Sequence, residues 1–561
     1  MYSQAILSAL SLALCSTPAL AASPEEWRSR SIYQLLTDRF ARPDGSTTAT
    51  CDTGSGQYCG GTWRGIIDRL DYIQGMGFDA VWISPVTKNI EGQTAYGEAY
   101  HGYWQQDLYD VNSHFGTSDD LKALAQALHG RGMYLMVDIV VNHFGWNGGP
   151  DSVDYSQFNP FNSEDDFNTP YCEIDYNNLE DSAQLTECWV GGTQVTLPDV
   201  KTSSQSVRNA YGEWISSLTA NYSIDGYRVD TVLQVEKSFW SSFRAAAGNA
   251  YMLGEIFQSG ADLVCEYQNY MSGVFNYPVY FPLINAFKST SGSISDLADK
   301  IEETKNTCND ISLLGSFSEN HDNPRFPALN HDIAQASNVI TYTMVADGIP
   351  VLYQGQEQHY DARGGQNDPY NREALWFSGY NTDSQLYKLV QKLNGARKNA
   401  IRNDPSFLTT PANIVYTDDS TIAVKKAKLL TVFSNKGSSG ANYTQEIRSW
   451  YPSGSSVTEL FSCTDFTSDE LSHIPVPMSG GMPRVFYPTA DLGSLCGGSR
   501  LVNSDEYPSR SSSYKFNRLS RSSRSETRAT RSTRSERPAR AARAARAARP
   551  SPRGKPTRWQ A

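Results

Sequence analysis

Short apolar runs alternate with longer amphipathic stretches along most of the chain. Eight runs are typical of buried strands: Ser31–Gln34, Ala80–Pro85, Met133–Val141, Gly226–Val229, Tyr251–Gly254, Gly273–Asn276, Leu313–Phe317 and Ile349–Tyr353. Between several of them the apolar residues recur at helical spacing, as in Thr117–Gly130, Gln205–Leu218 and Ile294–Lys305. Eight strands that alternate with helices predict an α/β fold, the (β/α)8 or TIM barrel, whose chemistry lies at the carboxyl ends of the strands.

Two regions interrupt this alternation. From His143 to about Val200 the chain has no clear helix and is rich in Asn, Asp, Ser and Gly. We therefore predict a small inserted domain over residues 143–200, after the third strand. After about Asn403 short strands such as Leu429–Phe433 predict a C-terminal antiparallel β-sandwich domain over residues 403–497. The barrel itself then consists of residues 22–142 and 201–402.

The two ends of the chain differ from its body. An apolar run, Ala5–Cys15, precedes the small residues of a cleavage site at Pro18–Ala21, which predicts a signal peptide over residues 1–21. No later stretch approaches the roughly 20 apolar residues of a membrane-spanning helix. Residues 498–561 are rich in arginine, which recurs at every third position from Arg528 to Arg549, and this pattern predicts disorder. An electrostatic tether and a shifted reading frame both explain that tail.

Charge is distributed unevenly along the chain. Residues 501–561 contain 14 Arg and 2 Lys against 4 acidic residues, so residues 1–500 carry a net charge of −24 although the whole chain carries −12. An acidic body repels nucleic acid and anionic membranes, which favours a neutral substrate. We expect a secreted monomer, extracellular or associated with the cell wall, with no nucleic-acid partner.

Eight of the nine cysteines remain once Cys15 leaves with the signal peptide. Sequential pairing is the simplest of many arrangements, and it joins Cys51 to Cys59, Cys172 to Cys188, Cys265 to Cys308, and Cys463 to Cys496. Their spacings lack the clustered pattern of a zinc site. Two glycosylation sequons, at Asn221 and Asn442, agree with secretion.

Acidic residues follow three of the predicted barrel strands. Arg228 and Asp230 lie two residues apart on the fourth strand and share a face, so the arginine favours the charged form of the aspartate. A purely structural Arg–Asp pair is the plain alternative. Glu255 follows the fifth strand and Asp322 the seventh. Converging carboxyl groups are the machinery of glycoside hydrolysis, in which one attacks the sugar and another protonates the leaving oxygen.

Four short segments make the chain resemble the α-amylase family of glycoside hydrolases (family 13), and in particular its secreted fungal members. The segments are Asp138–His143, Gly226–Val232, Gly254–Glu255 and Glu319–Asp322, and the resemblance extends from about Trp27 to Cys496. It implies that Asp230 is the nucleophile, Glu255 the general acid/base and Asp322 a stabiliser of the transition state. It also supports the sequential pairing of the cysteines.

The resemblance further implies a set of residues that bind the substrate, an α-glucan or maltooligosaccharide. They are His101, Tyr103, Trp104, His143, Arg228, His321, Asp368 and Arg372.

Members of this family bind a structural Ca²⁺, which requires hard oxygen ligands. The resemblance implies as ligands Asn142, Asp199 and the backbone carbonyl of Gln234. Thr186 occupies the family's glutamate position, and the adjacent Glu187 is a fourth candidate.

The chain departs from typical fungal α-amylases just after the nucleophile, where Leu233–Gln234 replaces Lys-His. In the family these positions contact the sugar on the leaving-group side, so the resemblance implies that the change removes hydrogen bonds worth about 0.5–1.5 kcal/mol each. The leading interpretation is a retaining endo-hydrolase of α-1,4-glucosidic bonds. A 4-α-glucanotransferase of cell-wall α-glucan metabolism is the alternative, and an inactive carbohydrate-binding protein is disfavoured because all three carboxyl groups are present.

Overall fold

Ten strands of a computed structural model, which describes residues 21–497, belong to the barrel and to one hairpin beside it. They are β1 (Ile32–Gln34), β2 (Ala80–Ile83), β3 (Thr87–Asn89), β4 (Gln105–Val111), β5 (Tyr134–Ile139), β6 (Gly226–Val229), β7 (Tyr251–Gly254), β8 (Gly273–Val274), β9 (Gly315–Ser316) and β10 (Ile349–Tyr353). The predicted signal peptide, apart from Ala21, and the arginine-rich tail lie outside the described residues.

The eight barrel strands are all parallel and follow the order β8-β7-β6-β5-β2-β1-β10-β9. A bridge between Phe275 and Gly315 joins the two ends of this sheet and closes the barrel. The predicted (β/α)8 barrel is therefore confirmed. Each strand is shorter than or equal to its apolar run, because the run continues into buried loops that leave the ladder.

Helices surround the barrel and connect its strands. They are α1 (Pro24–Trp27), α2 (Thr37–Phe40), α3 (Trp63–Asp68), α4 (Leu70–Gly75), α5 (Ser118–His129), α6 (Ser182–Glu187), α7 (Gln205–Tyr222), α8 (Trp240–Ala246), α9 (Ala261–Glu266), α10 (Tyr277–Phe287), α11 (Ile294–Thr307), α12 (Phe326–Leu329), α13 (Ile333–Val345) and α14 (Gln385–Asn403).

Local sequence explains where α5 begins and which face it buries. Thr117 caps the helix: its hydroxyl accepts from the Asp120 amide, while the Asp120 carboxylate accepts from the Thr117 amide. Leu121, Leu124, Ala125 and Leu128 recur every three or four residues and form the buried face. Strand β6 begins at a glycine for a steric reason: a Cβ at Gly226 would lie 2.7 Å from the Trp27 ring.

Segment 143–200 lies between β5 and α7 and has little regular structure. The expectation that it contains no helix is wrong at one place, since α6 forms there, capped by the Asp181 carboxylate, which accepts from the Gln184 amide. Its two ends pair with each other through antiparallel bridges, His143 with Asp199 and Trp146 with Thr196. This paired neck supports our proposal of an inserted domain over 143–200, between the barrel parts 22–142 and 201–402.

The C-terminal region is an antiparallel β structure of two layers. Its strands are β11 (Asn413–Thr417), β12 (Thr421–Lys426), β13 (Leu429–Ser434), β14 (Tyr443–Arg448), β15 (Ser456–Glu459), β16 (Thr464–Thr467), β17 (His473–Met478) and β18 (Arg484–Pro488). Six of them form a sheet in the order β11-β12-β13-β18-β15-β16, and β14 and β17 form a separate ribbon. Apolar residues of both layers, such as Val432 and Ile474, pack in one core, as expected of a sandwich.

Four disulfides join the eight cysteines of the described residues in sequential order: Cys51–Cys59, Cys172–Cys188, Cys265–Cys308 and Cys463–Cys496. The second disulfide lies within the inserted segment, whose few regular elements leave it in need of a crosslink. Among residues 21–497, no helix has the length and apolar character needed to cross a membrane.

Candidate active site

The three predicted carboxyl groups follow three strands of the barrel. Asp230 comes directly after β6, Glu255 directly after β7, and Asp322 lies in the loop that follows β9. Asp230 and Glu255 are 8% and 7% exposed, and the side chain of Asp322 is 13% exposed. Each is therefore largely removed from water while its oxygens remain at the mouth of the barrel.

Arg228 connects the carboxyl groups. Its Nη1 lies 2.6 Å from an oxygen of Asp230 and 3.1 Å from one of Asp138, and its Nη2 lies 2.8 Å from Glu255. The guanidinium is buried, so it faces three acids with almost no competing water. One cation cannot neutralise three carboxylates, and at least one of them is expected to hold a proton.

The pKa shifts divide the two central acids. Burial raises the pKa of Asp230, but Arg228, His143 and the hydrogen bonds to Asp230 outweigh burial and lower that pKa overall. Burial raises the pKa of Glu255 well above its ordinary value, and the charges of Asp230 and Asp322 raise it further against the pull of Arg228. Asp230 is thus ionised where Glu255 is protonated, which is the division of labour of a nucleophile and an acid.

A strained turn supports both groups. Thr231 has φ of 46°, a left-handed conformation that costs a β-branched residue about 1–3 kcal/mol. In that conformation its hydroxyl donates to Asp230 Oδ2 at 3.0 Å, and its amide donates to Glu255 Oε2 at 3.3 Å. The turn therefore fixes the position of one acid relative to the other.

Asp138 is a site residue that the sequence reasoning quoted within a motif but did not single out. It pairs in register with Arg228 across β5 and β6, and its Oδ2 accepts from Tyr103 Oη at 2.6 Å and from Trp82 Nε1 at 3.0 Å. Burial raises its pKa to about 7. An acid on the predicted strand that precedes the nucleophile's strand was the available signal.

Aromatic and imidazole rings form one wall of the site. Tyr103 stacks on His321, with ring centroids 5.2 Å apart, and its ring is also nearly parallel to that of His101 at 5.7 Å. His101 in turn meets the buried Trp104 edge-on at 4.4 Å. Nε2 of His143 lies 3.2 Å from the Tyr103 carbonyl oxygen. Burial lowers the pKa of all three histidines, so these rings are neutral hydrogen-bonding groups.

Arg372 contacts two acidic residues and the loop that carries His321. It lies 3.2 Å from Asp322 and 3.0 Å from Asp368, and its Nε donates to the His321 carbonyl at 3.1 Å. The Tyr100 hydroxyl donates to the same Asp368 carboxylate at 3.2 Å. The structure therefore brings the predicted pair of Asp368 and Arg372 together with Asp322, which lies on a separate segment.

The Leu233–Gln234 pair follows the nucleophile in a short 3-10 turn, and both side chains are buried. The Gln234 side chain bonds to the hydroxyl of Tyr176, an aromatic residue of the inserted segment that is 44% exposed. Tyr176 also interacts electrostatically with Glu255 and Asp230, so it stands at the rim of the site. Sequence reasoning missed it, because an exposed tyrosine in an irregular loop carries no pattern.

A polar cradle lies where the inserted segment leaves and rejoins the barrel. Oδ1 of Asn142 and Oδ2 of Asp199 are buried and lack any hydrogen-bond donor. Burial raises the pKa of Asp199 well above its usual range, and Glu236 and Glu187 raise it further. Two orphaned hard oxygens and an uncompensated carboxylate fit a bound Ca²⁺.

The backbone near Gln234 approaches α6, which carries Thr186 and Glu187, and the Glu187 side chain is exposed, unlike Asn142 and Asp199. In residues 21–497 no three His, Cys, Asp or Glu side chains cluster as metal ligands. A cation here would therefore rely on amide and carbonyl oxygens beside one carboxylate.

The two sequons are both on the surface. Asn221 is exposed near the end of α7, where its amide donates to Ser217 at 3.0 Å. Asn442 is exposed just before β14, where its side-chain oxygen accepts from the Gly480 amide at 3.2 Å.

A parallel barrel that gathers an ionised and a protonated carboxyl group at the carboxyl ends of its strands defines the class of barrel glycoside hydrolases. Comparison with known proteins narrows this class. A family model described as the α-amylase catalytic domain matches residues 34–403, and one described as α-amylase domain C matches residues 414–503. The chain belongs to the α-amylase family.

The most similar proteins agree with that membership. The chain is 47% identical over 481 residues to α-amylase 2 of Schwanniomyces occidentalis, covering 85% of this chain and 92% of that one. It is 46% identical to an α-amylase of Saccharomycopsis fibuligera, covering 84% and 94%. An α-amylase structure from Malbranchea cinnamomea has a TM-score of 0.82 and 50% identity, covering 85% of this chain and 99% of that one.

Proposed function

We propose that this protein is a retaining endo-hydrolase of internal α-1,4-glucosidic bonds in starch-like or cell-wall α-glucans. One observation carries the proposal: Arg228 bonds both Asp230 and Glu255, yet the pKa of the first is lowered and that of the second is raised. A retaining glycosidase needs one ionised and one protonated carboxyl group beside the scissile bond. The family membership identifies the sugar polymer.

The reaction proceeds in two steps. Glu255 donates its proton to the glycosidic oxygen while the Asp230 carboxylate attacks the anomeric carbon, so the leaving chain departs with the proton and a covalent glycosyl ester forms. The ionised Glu255 then takes a proton from water, whose oxygen attacks the same carbon and releases Asp230. Asp322 stabilises the positive charge that develops on the sugar, and Arg228 holds the two acids in position.

Neutral groups orient the sugar around the cleaved bond. Tyr103 offers a flat face for the ring, backed by His321, while His143 and His321 are placed to bond its hydroxyls. Asp368 and Arg372, which form an ion pair, bind the next sugar. The Asp368 carboxylate accepts a hydrogen bond from a sugar hydroxyl and the Arg372 guanidinium donates one to a sugar oxygen. His101 and Trp104 hold Tyr103 in place from behind.

A structural Ca²⁺ would be held by Asn142 Oδ1, Asp199 Oδ2 and the Gln234 carbonyl, with Glu187 as a further candidate. It would supply fixed positive charge that satisfies the two orphaned oxygens. Since Asn142 and Asp199 lie at opposite ends of the inserted segment, the ion would hold that segment and its Tyr176 against the barrel.

The cellular setting follows from the same features. Four disulfides favour an oxidising compartment, and the exposed Asn221 and Asn442 are accessible to glycosylation. We propose a secreted, monomeric glycoprotein, extracellular or attached to the cell wall, that acts on polysaccharide.

Product analysis tests the proposal. Purified protein is incubated with a maltooligosaccharide of one defined length, and the products are separated by size while their anomeric form is followed by NMR. We expect only shorter products, released first as the α-anomer. Products longer than the substrate would indicate the alternative, a 4-α-glucanotransferase, and β-anomers or no turnover would refute retention or hydrolysis. Asp230→Asn, folded but inactive, is the matched control.

A further inference from the structure

The ribbon formed by β14 and β17 ends in an aromatic residue that faces solvent. Trp450 follows β14 and is 56% exposed, although it is among the largest apolar side chains of the protein. Ser449 and Tyr451 on either side of it are buried. The alternation of the strand therefore continues beyond β14 and directs Trp450 outward.

The backbone is fixed around this residue. The amide and hydroxyl of Ser449 both donate to the Ser472 carbonyl, at 2.7 and 2.8 Å, and the Ser449 carbonyl accepts from Lys425 at 2.7 Å. Directly after this anchored residue, Trp450 has φ of 58°, a conformation that costs a bulky residue about 1–3 kcal/mol. The fold bears this cost although most of the Trp450 side chain is left in solvent.

The ring itself is held as a platform. The Arg448 guanidinium lies over it at 3.9 Å from the ring centroid and so covers one face. The ladder of the ribbon ends at the pair of Arg448 and His473. Leu471, which is 68% exposed, lies in the turn just beyond it, next to Ser472, whose carbonyl accepts from the Ser449 amide. An aromatic face flanked by hydrogen-bonding side chains is the form in which proteins bind sugar rings.

Size and charge select the occupant. Trp450 and Leu471 offer an apolar area on the order of 200 Å², against roughly 800 Å² per partner in a stable protein interface. Glu446 on the ribbon and Glu470 on its turn are exposed beside the exposed base Arg448, and so they disfavour anionic partners. A neutral, narrow polymer needs only a small contact area and is not repelled by these acidic residues.

We propose that Trp450, with Arg448 and Leu471, is a second glucan-binding site that holds the α-glucan substrate by stacking on its sugar rings, away from the catalytic carboxyl groups. The proposal rests on the proposed function, since it takes its ligand from that reaction. Its role is to keep the enzyme on insoluble or very long substrate between cuts. A short soluble oligosaccharide gains nothing from it.

The test compares two substrates and three variants. The full-length protein, Trp450→Ala, Trp450→Tyr and Tyr109→Ala are assayed on starch granules and on a soluble maltooligosaccharide, and granule binding is measured by sedimentation. Tyr109 is the matched control, an aromatic residue of β4 with 51% exposure. We expect Trp450→Ala to bind granules about tenfold more weakly and to cleave them correspondingly more slowly, with an unchanged kcat/KM on the short substrate. Trp450→Tyr should retain most of the binding, and Tyr109→Ala should behave as the parent protein.

Other outcomes overturn the proposal in distinct ways. Equal granule binding by the parent and Trp450→Ala refutes the site while leaving the hydrolase intact. Equal losses on both substrates indicate a folding defect instead of a lost site. A dimeric parent that Trp450→Ala converts to a monomer identifies the surface as a self-interface. A parent protein that cleaves neither substrate refutes the proposed function, and this site with it.

Discussion

Exchange of Glu255 for glutamine separates the two acids by their chemistry. Glutamine has the same shape and can keep the contact that Arg228 Nη2 makes at 2.8 Å, so the fold should persist. It cannot donate the proton that leaves with the departing sugar. General acid catalysis contributes about 10²- to 10⁴-fold, or about 3–5 kcal/mol, and the rate on a natural glucan should fall by that factor.

A maltosyl fluoride makes the prediction sharper, because fluoride departs without a proton. Glu255→Gln should still form the covalent ester on Asp230 and release a burst of about one fluoride per enzyme. Steady turnover then becomes slow, because no base activates water for the second step. Asp230→Asn is the matched control and should give no burst, since it lacks the nucleophile. A burst in Asp230→Asn, or its absence in Glu255→Gln, would refute the roles assigned to these two residues.

Three further predictions use other contacts of the site. The alkaline limb of the kcat/KM profile should titrate Glu255, and Asp322→Asn should move this limb of the residual activity to lower pH, because it removes a charge that raises the pKa of Glu255. Asp138→Asn should lower kcat about 10- to 100-fold, since an amide cannot accept from Arg228 on one side and from Tyr103 and Trp82 on the other, and one such bond is worth about 1.5–3 kcal/mol. A chelator should lower the Tm in calorimetry, consistent with loss of about 2.7 kcal/mol if Ca²⁺ is present at 100 times its Kd, and Asp199→Ala should remove this sensitivity.

Each of these has a clear contrary result. If the alkaline limb does not move in Asp322→Asn, the titration of Glu255 is not its cause. Unchanged kinetics in Asp138→Asn would mean that Arg228 is held well enough by its remaining partners. A Tm that responds to chelator equally in the parent and in Asp199→Ala would place the ion elsewhere.

The barrel was predictable because its strands are buried on both faces. The run Tyr251–Gly254 matches its strand, and the run Ala80–Pro85 contains the strand Ala80–Ile83, whose four residues are all buried. Helix α6 was missed because it is six residues long and begins at an aspartate in a polar segment, where no apolar period can develop. Short elements of this kind are decided by a single cap and by tertiary contacts.

The candidate site divides in the same way. Arg228 and Asp230 share one strand face, so their contact follows from a two-residue spacing. The bond of Asp138 to Tyr103, and that of Gln234 to Tyr176, join segments far apart in the chain, which spacing does not reveal. Likewise, the sequence cannot show that one oxygen atom of Asn142 and one of Asp199 are buried without a hydrogen-bond donor, because this depends on all the groups packed around them.

Because the two ends of the inserted segment pair with each other, the length of the segment has little effect on the barrel. The Val200 amide donates to the Asn142 carbonyl at 2.8 Å, and the Phe144 amide donates to Pro198 at 3.1 Å. The distance that the chain must span between strand β5 and helix α7 is therefore short, however many residues the segment contains beyond the paired ends. Because the entropy of closing a loop grows only with the logarithm of its length, residues can be added or removed beyond the neck at little cost. The segment is thus a site where the substrate cleft can diverge between relatives while the catalytic strands stay unchanged.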